Sequence, residues 1–89
     1  MQFRWIVWNR DHIAEHAVEQ AEAEMVVNNA KPPFPEEIGD DKFIVKGRGI
    51  GGRFLQVIYL VDPDGTMFVI HARPLTEREK KQLRRRLKK

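Results

Sequence analysis

The chain contains no cysteine, which excludes disulfides and thiolate chemistry and makes a reducing cytosol the expected compartment. No apolar run approaches the ~18 residues that a membrane span needs, so no membrane partner is expected. Met1-Gln2-Phe3-Arg4-Trp5 lacks a basic stretch followed by a long apolar one, so no secretory signal is expected. Internal repeats are missing, and so is low-complexity sequence apart from a basic tail. Length is also in short supply. A chain of 89 residues buries only roughly 60–65% of its unfolded surface. That excludes a two-domain enzyme or a fold wrapped around a large cofactor. One domain over residues 1–89 and no cofactor are expected.

What is present reads as a globular protein, with 42% apolar and 33% charged residues. The net charge of +3 conceals a gradient. Residues 1–42 hold four bases against nine acids, residues 43–72 three against two, and residues 73–89 nine against two. An acidic head and a strongly basic tail suggest a polyanionic partner near the tail. The plainer alternative is a solvated helix end, where cations offset the macrodipole.

Phe3–Trp8 alternates large apolar groups and predicts a short strand. Asn9 suits an N-cap. Ala14, Ala17, Val18, Ala21 and Met25 fall at helical spacing, as one long helix or two short ones bent near Ala17-Val18. Residues 30–41 hold three prolines in four positions and predict an extended loop. Lys42–Lys46 is β-rich, Gly47–Gly52 is a glycine loop, and Arg53–Val61 and Thr66–Arg73 are strands around Asp62-Pro63-Asp64-Gly65. Thr76-Glu77-Arg78-Glu79 is a capping box opening a helix to about Leu87. The expected class is α+β: an N-terminal strand and helices on a small antiparallel sheet, with a basic C-terminal helix.

Asp-Pro-Asp-Gly suits a type I turn closed by a bulge at the glycine. It pairs Asp62 with Thr66, Tyr59 with Val69, Val57 with His71 and Leu55 with Arg73. One face then carries Phe54, Gln56, Ile58, Leu60, Phe68, Ile70 and Ala72, and is the expected core face. The other carries Arg53, Leu55, Val57, Tyr59, Val61, Met67, Val69, His71 and Arg73.

Two motifs invite chemistry that their context opposes. His12-Ile13-Ala14-Glu15-His16 matches H-x-x-E-H, whose histidines can bind zinc from one helix face. The chain is too short for that peptidase fold, and surface or cap-adjacent histidines are the simpler reading. Gly47-Arg48-Gly49-Ile50-Gly51-Gly52 matches G-x-G-x-x-G, but Arg53 opens a strand where a dinucleotide site needs a helix. A third constellation is Arg53, Tyr59, His71 and Arg73. Metal-free RNA cleavage needs a base for the 2′-hydroxyl, an acid for the leaving oxygen and cations for the phosphorane. Histidine suits either proton role, arginine the phosphate, and tyrosine a stacked base. The alternative is that the arginines solubilise a strand end and His71 fills a half-buried gap.

Three segments together resemble the BrnT-type toxins of the RelE-like ribonuclease group. They are Trp8-Asn9 with His12 to Val18 and Glu22-Ala23-Glu24; Gly47-Arg48 with Gly52 to Tyr59; and Ile70 to Glu79. The resemblance implies an α+β toxin domain that acts as a metal-independent endoribonuclease and inhibits translation. It also implies a cognate antitoxin of ribbon-helix-helix type. Arg53 and Arg73 match the family's basic site. Two positions depart: Ala17 stands where members commonly have glycine, and His71 where they commonly have a small hydroxyl residue. The expected site is Arg53, His71, Arg73 and Tyr59, with Lys46, Arg48, Arg78, Lys81 and Arg85 binding RNA and no metal. A non-catalytic toxin-like module that binds nucleic acid or an antitoxin is the alternative.

Overall fold

Asn9 sets where the chain first turns helical, though not as an N-cap. Its buried side chain accepts a hydrogen bond from the Ile6 amide at 2.7 Å and donates to the Arg4 carbonyl at 3.2 Å. Helix α1 therefore starts two residues before Asn9, at Val7, and runs to Ala14. In the computed structural model, which describes residues 2–88, the strand expected over Phe3–Trp8 contracts to one parallel bridge between Phe3 and Met67.

A second helix, α2 (Gln20–Asn28), follows a break at Ala17, whose φ of +58° is left-handed. The two-helix alternative thus holds, and it holds without the glycine that such a conformation favours. The proline segment is not loop throughout, because Glu36–Gly39 forms strand β1. Asp40 and Asp41, both at positive φ, turn the chain into β2 (Lys42–Arg48). Two consecutive residues at φ > 0 give the twist that a tight hairpin needs, and aspartate tolerates it. The glycine segment is shorter than expected, since Gly47 and Arg48 belong to β2 and only Ile50–Gly52 makes a 3₁₀ turn. Strands β3 (Phe54–Val61) and β4 (Met67–Pro74) complete an antiparallel sheet in the order β1-β2-β3-β4. Helix α3 (Glu77–Leu87) closes the described chain, with Thr76 as N-cap and Glu79 returning the capping-box bond. The fold is α+β.

The hairpin register is as expected near the turn and shifted beyond it. Asp62 and Thr66 bond, and Tyr59 faces Val69. A bulge then leaves two residues, Ile70 and His71, against Ile58. Val57 faces Ala72 instead of His71, and Leu55 faces Pro74 instead of Arg73. The core face is consequently the reverse of the expected one. Leu55, Val57, Tyr59, Val69 and Ala72 are buried with Val45, while Ile58, Leu60, Phe68 and Ile70 stay half-exposed. Ile13 of α1 and Ala23, Val26 and Val27 of α2 pack on that buried face. Each valine, leucine or isoleucine among them contributes about 1.5–3 kcal/mol when fully buried.

Helix α3 is held at both ends. Glu79 takes the guanidinium of Arg73, and Arg86 takes the carboxylate of Glu36 at 2.6 and 3.0 Å. Glu36 faces Ile44, and Arg73 faces Gln56, which in turn faces Lys46. Both anchors therefore share one sheet face, the one opposite the core, and α3 crosses it over the buried Gln56.

Candidate functional site

The bulge decides where His71 points. Without it, strand alternation would put His71 on the core face beside Val57. With it, His71 shares the half-exposed face with Ile58 and Phe68. Helix α1 packs along β4 there and brings its aromatic side to the same edge. Trp8 stacks on Phe68 with ring centroids 6.0 Å apart, and His12 stacks on Trp8 at 5.2 Å. His16, just past the helix end, meets His71 edge-on at 5.8 Å. The spacing is geometric. The four residues from Trp8 to His12 rise about 6 Å within the helix, and the turn after Ala14 carries His16 onward along the strand, where the three residues from Phe68 to His71 span roughly 10 Å.

All three histidines of the sequence thus line one edge, although 55 residues separate His16 from His71. His71 is half-buried. Burial first, then the charges of Arg73, His16 and His12, hold its pKa below the ordinary histidine value. It is therefore neutral near pH 7 and able to accept a proton. Trp8 is 53% exposed beside the pair, with its ring stacked on both Phe68 and His12. Helix α1 ends at Ala14, so His12 and His16 do not share a helix face as the H-x-x-E-H spacing suggests. Among the described residues no three histidine, aspartate or glutamate side chains converge as metal ligands.

The two arginines expected to clamp a phosphate are occupied and apart. Arg53 donates through Nε to Glu22 at 2.8 Å and through Nη2 to the same carboxylate at 2.7 Å, and also to the Ala17 carbonyl. Glu22 is buried, its carboxyl held below the usual range chiefly by this guanidinium. Arg73 donates through Nη1 and Nη2 to Glu79, both at 2.8 Å, and to the Pro74 carbonyl at 3.1 Å. Arg53 reaches the helix side of the core face, and Arg73 reaches α3 on the opposite face. They are structural clasps: Arg53 fixes the loop that carries His16, and Arg73 fixes the start of α3.

Tyr59 is not at the edge either. It lies in the core, stacked on Phe43 at 5.5 Å, and burial raises its pKa. Lys46 and Arg48 lie at the other end of the sheet, with the Arg48 guanidinium 4.9 Å above the Phe54 ring. Arg78, Lys81 and Arg85 are exposed along α3 and take part in no ion pair among the described residues. Of the expected catalytic group only His71 is half-exposed with no such clasp on its polar atoms among the described residues. His16, His12 and Trp8 are the members that sequence reasoning set aside. The signal available was their i, i+4, i+8 spacing, which the helix break partly conceals.

Comparison with protein-family models, with curated proteins and with solved structures finds no match for this chain.

Proposed function

We propose that this chain is an RNA-cleaving toxin of a toxin–antitoxin pair, with His71 and His16 as its proton-transfer pair. One observation carries the reading: the β4 bulge turns His71 out of the core to face His16 across 5.8 Å, beside an exposed tryptophan. Two imidazoles in edge contact can present nitrogens to one phosphodiester seated against them. Neutral His71 takes the proton from the ribose 2′-hydroxyl as that oxygen bonds to phosphorus. His16, as the general acid, gives a proton to the 5′-oxygen as the P–O5′ bond breaks. The products are a 2′,3′-cyclic phosphate and a 5′-hydroxyl, and no metal enters the proton balance. The exposed rim of Trp8, stacked between His12 and Phe68, gives a base apolar contact next to the scissile link. General acid–base catalysis of this kind supplies about 10²–10⁴-fold.

The resemblance noted in the sequence supports the same class and supplies the antitoxin partner, and a cytoplasmic site rests on the lack of cysteine. The test is cleavage of a short RNA in the presence of EDTA. His71→Gln and His16→Gln are each expected to lower the rate about 100-fold or more. Wild-type rates in both variants would defeat the assignment. A second reading, binding without cleavage, is favoured by one fact: both expected phosphate-clamping arginines already hold carboxylates. It predicts intact RNA and an affinity that falls steeply with salt.

A further inference from the structure

A groove of about 790 Å³ lies between the C-terminal ends of α2 and α3 and the end of β2. Its size is within the range of sites that enclose a small ligand. Lys31, Lys46 and Arg48 line it, together with Phe54 and the partly exposed Met25 and Leu87. None of the lining residues is acidic. Such walls fit an occupant that is both anionic and flat or apolar. The Arg48 guanidinium over the Phe54 ring adds a specific element. A cation stacked on an aromatic ring offers one surface for a base and another for its phosphate. Lys46, Arg48 and Phe54 share the sheet face of His71, and Phe54 lies four residues, roughly 13 Å, along β3 from the residue that His71 faces.

We infer that this groove is a nucleotide subsite for single-stranded RNA. A base is held against Phe54 and Arg48, and the adjoining phosphates lie on Lys31 and Lys46. The inference rests on the RNA reading above but concerns a separate surface, so the two can fail separately. An acidic protein segment would also answer the charge of the groove. The stacked guanidinium and ring favour the nucleotide, because a peptide carboxylate has no use for the ring face.

The test is fluorescence anisotropy with a labelled 2′-O-methyl RNA, which binds but lacks the hydroxyl needed for cleavage. The double variant Lys31→Glu, Arg48→Glu is expected to weaken binding about ten-fold or more. Arg10→Glu with Lys42→Glu makes the same charge change outside the groove, and about two-fold or less is expected. Phe54→Leu keeps apolar contact with the core, removes the stacking surface, and is expected to weaken binding about five-fold or more. Equal losses in the two double variants would overturn the inference in favour of diffuse charge attraction. So would binding of an acidic leucine-rich peptide to the groove where the oligonucleotide does not bind. Loss of binding in the groove variants alongside a wild type that fails to cleave RNA would sustain the subsite and sink the catalytic proposal. Cleavage with unchanged groove-variant binding would do the reverse.

Discussion

Glu79 joins two structural devices, and its removal can be worked through quantitatively. Its carboxylate accepts both Arg73 bonds at 2.8 Å and the Thr76 amide at 2.9 Å. These contacts, the Arg73 guanidinium foremost, hold its pKa at about 2 against an ordinary 4.5. That shift is equivalent to about 3 kcal/mol at ~1.4 kcal/mol per unit. Solvent reaches both partners, whose side chains are 29% and 21% exposed, so screening leaves about 1–2 kcal/mol. The folded pKa lies below the unfolded one. The contribution is therefore complete above about pH 4.5 and is lost as pH falls toward 2. Urea unfolding followed by far-UV circular dichroism measures it directly. Glu79→Ala is expected to lose about 1–2 kcal/mol near neutral pH and less than half of that near pH 2–3. An equal loss at both pH values would refute the reasoning, because the carboxylate charge would then contribute nothing. A double-mutant cycle with Arg73→Met should return a coupling of about 1 kcal/mol.

Other changes test the remaining joints. Ala17→Gly relieves a left-handed alanine and should stabilise the protein by up to about 1 kcal/mol in the same unfolding assay. Gly49→Ala would bring its Cβ to 2.7 Å from Glu22 Cγ, a side chain already fixed by Arg53. It should cost about 1–3 kcal/mol, and a neutral result would show that the Glu22–Arg53 clasp is loose. Leu83→Ala removes the one fully buried side chain of α3 among the described residues and should cost about 2–4 kcal/mol.

The parts of this structure written locally were legible in the sequence. The Asp62–Gly65 turn and the Thr76–Glu79 capping box each rest on residues within a few positions of one another, and that turn sets the pairing of Tyr59 with Val69. The bulge was not legible, because Val69-Ile70-His71-Ala72 is apolar enough on both sides that alternation does not betray an extra residue. That one residue reversed the expected core face and exchanged His71 for Ala72 opposite Val57. Strand β1 hid behind the prolines, although Gly39-Asp40-Asp41 carried a turn signal. The fate of the arginines was half legible. Glu79 stood six residues from Arg73 within a motif already recognised, whereas Glu22 lies 31 residues from Arg53 on a helix whose inward face only packing defines.

The histidine pair is tested most directly by the pH dependence of RNA cleavage in EDTA, with the product ends identified. A neutral His71 acting as base predicts a rate that falls as acid protonates it, 2′,3′-cyclic phosphate ends, loss of that acid limb in His71→Gln and a lowered rate in His16→Gln. Cleavage that leaves 3′-hydroxyl ends, or a rate that ignores both histidines, would contradict the account.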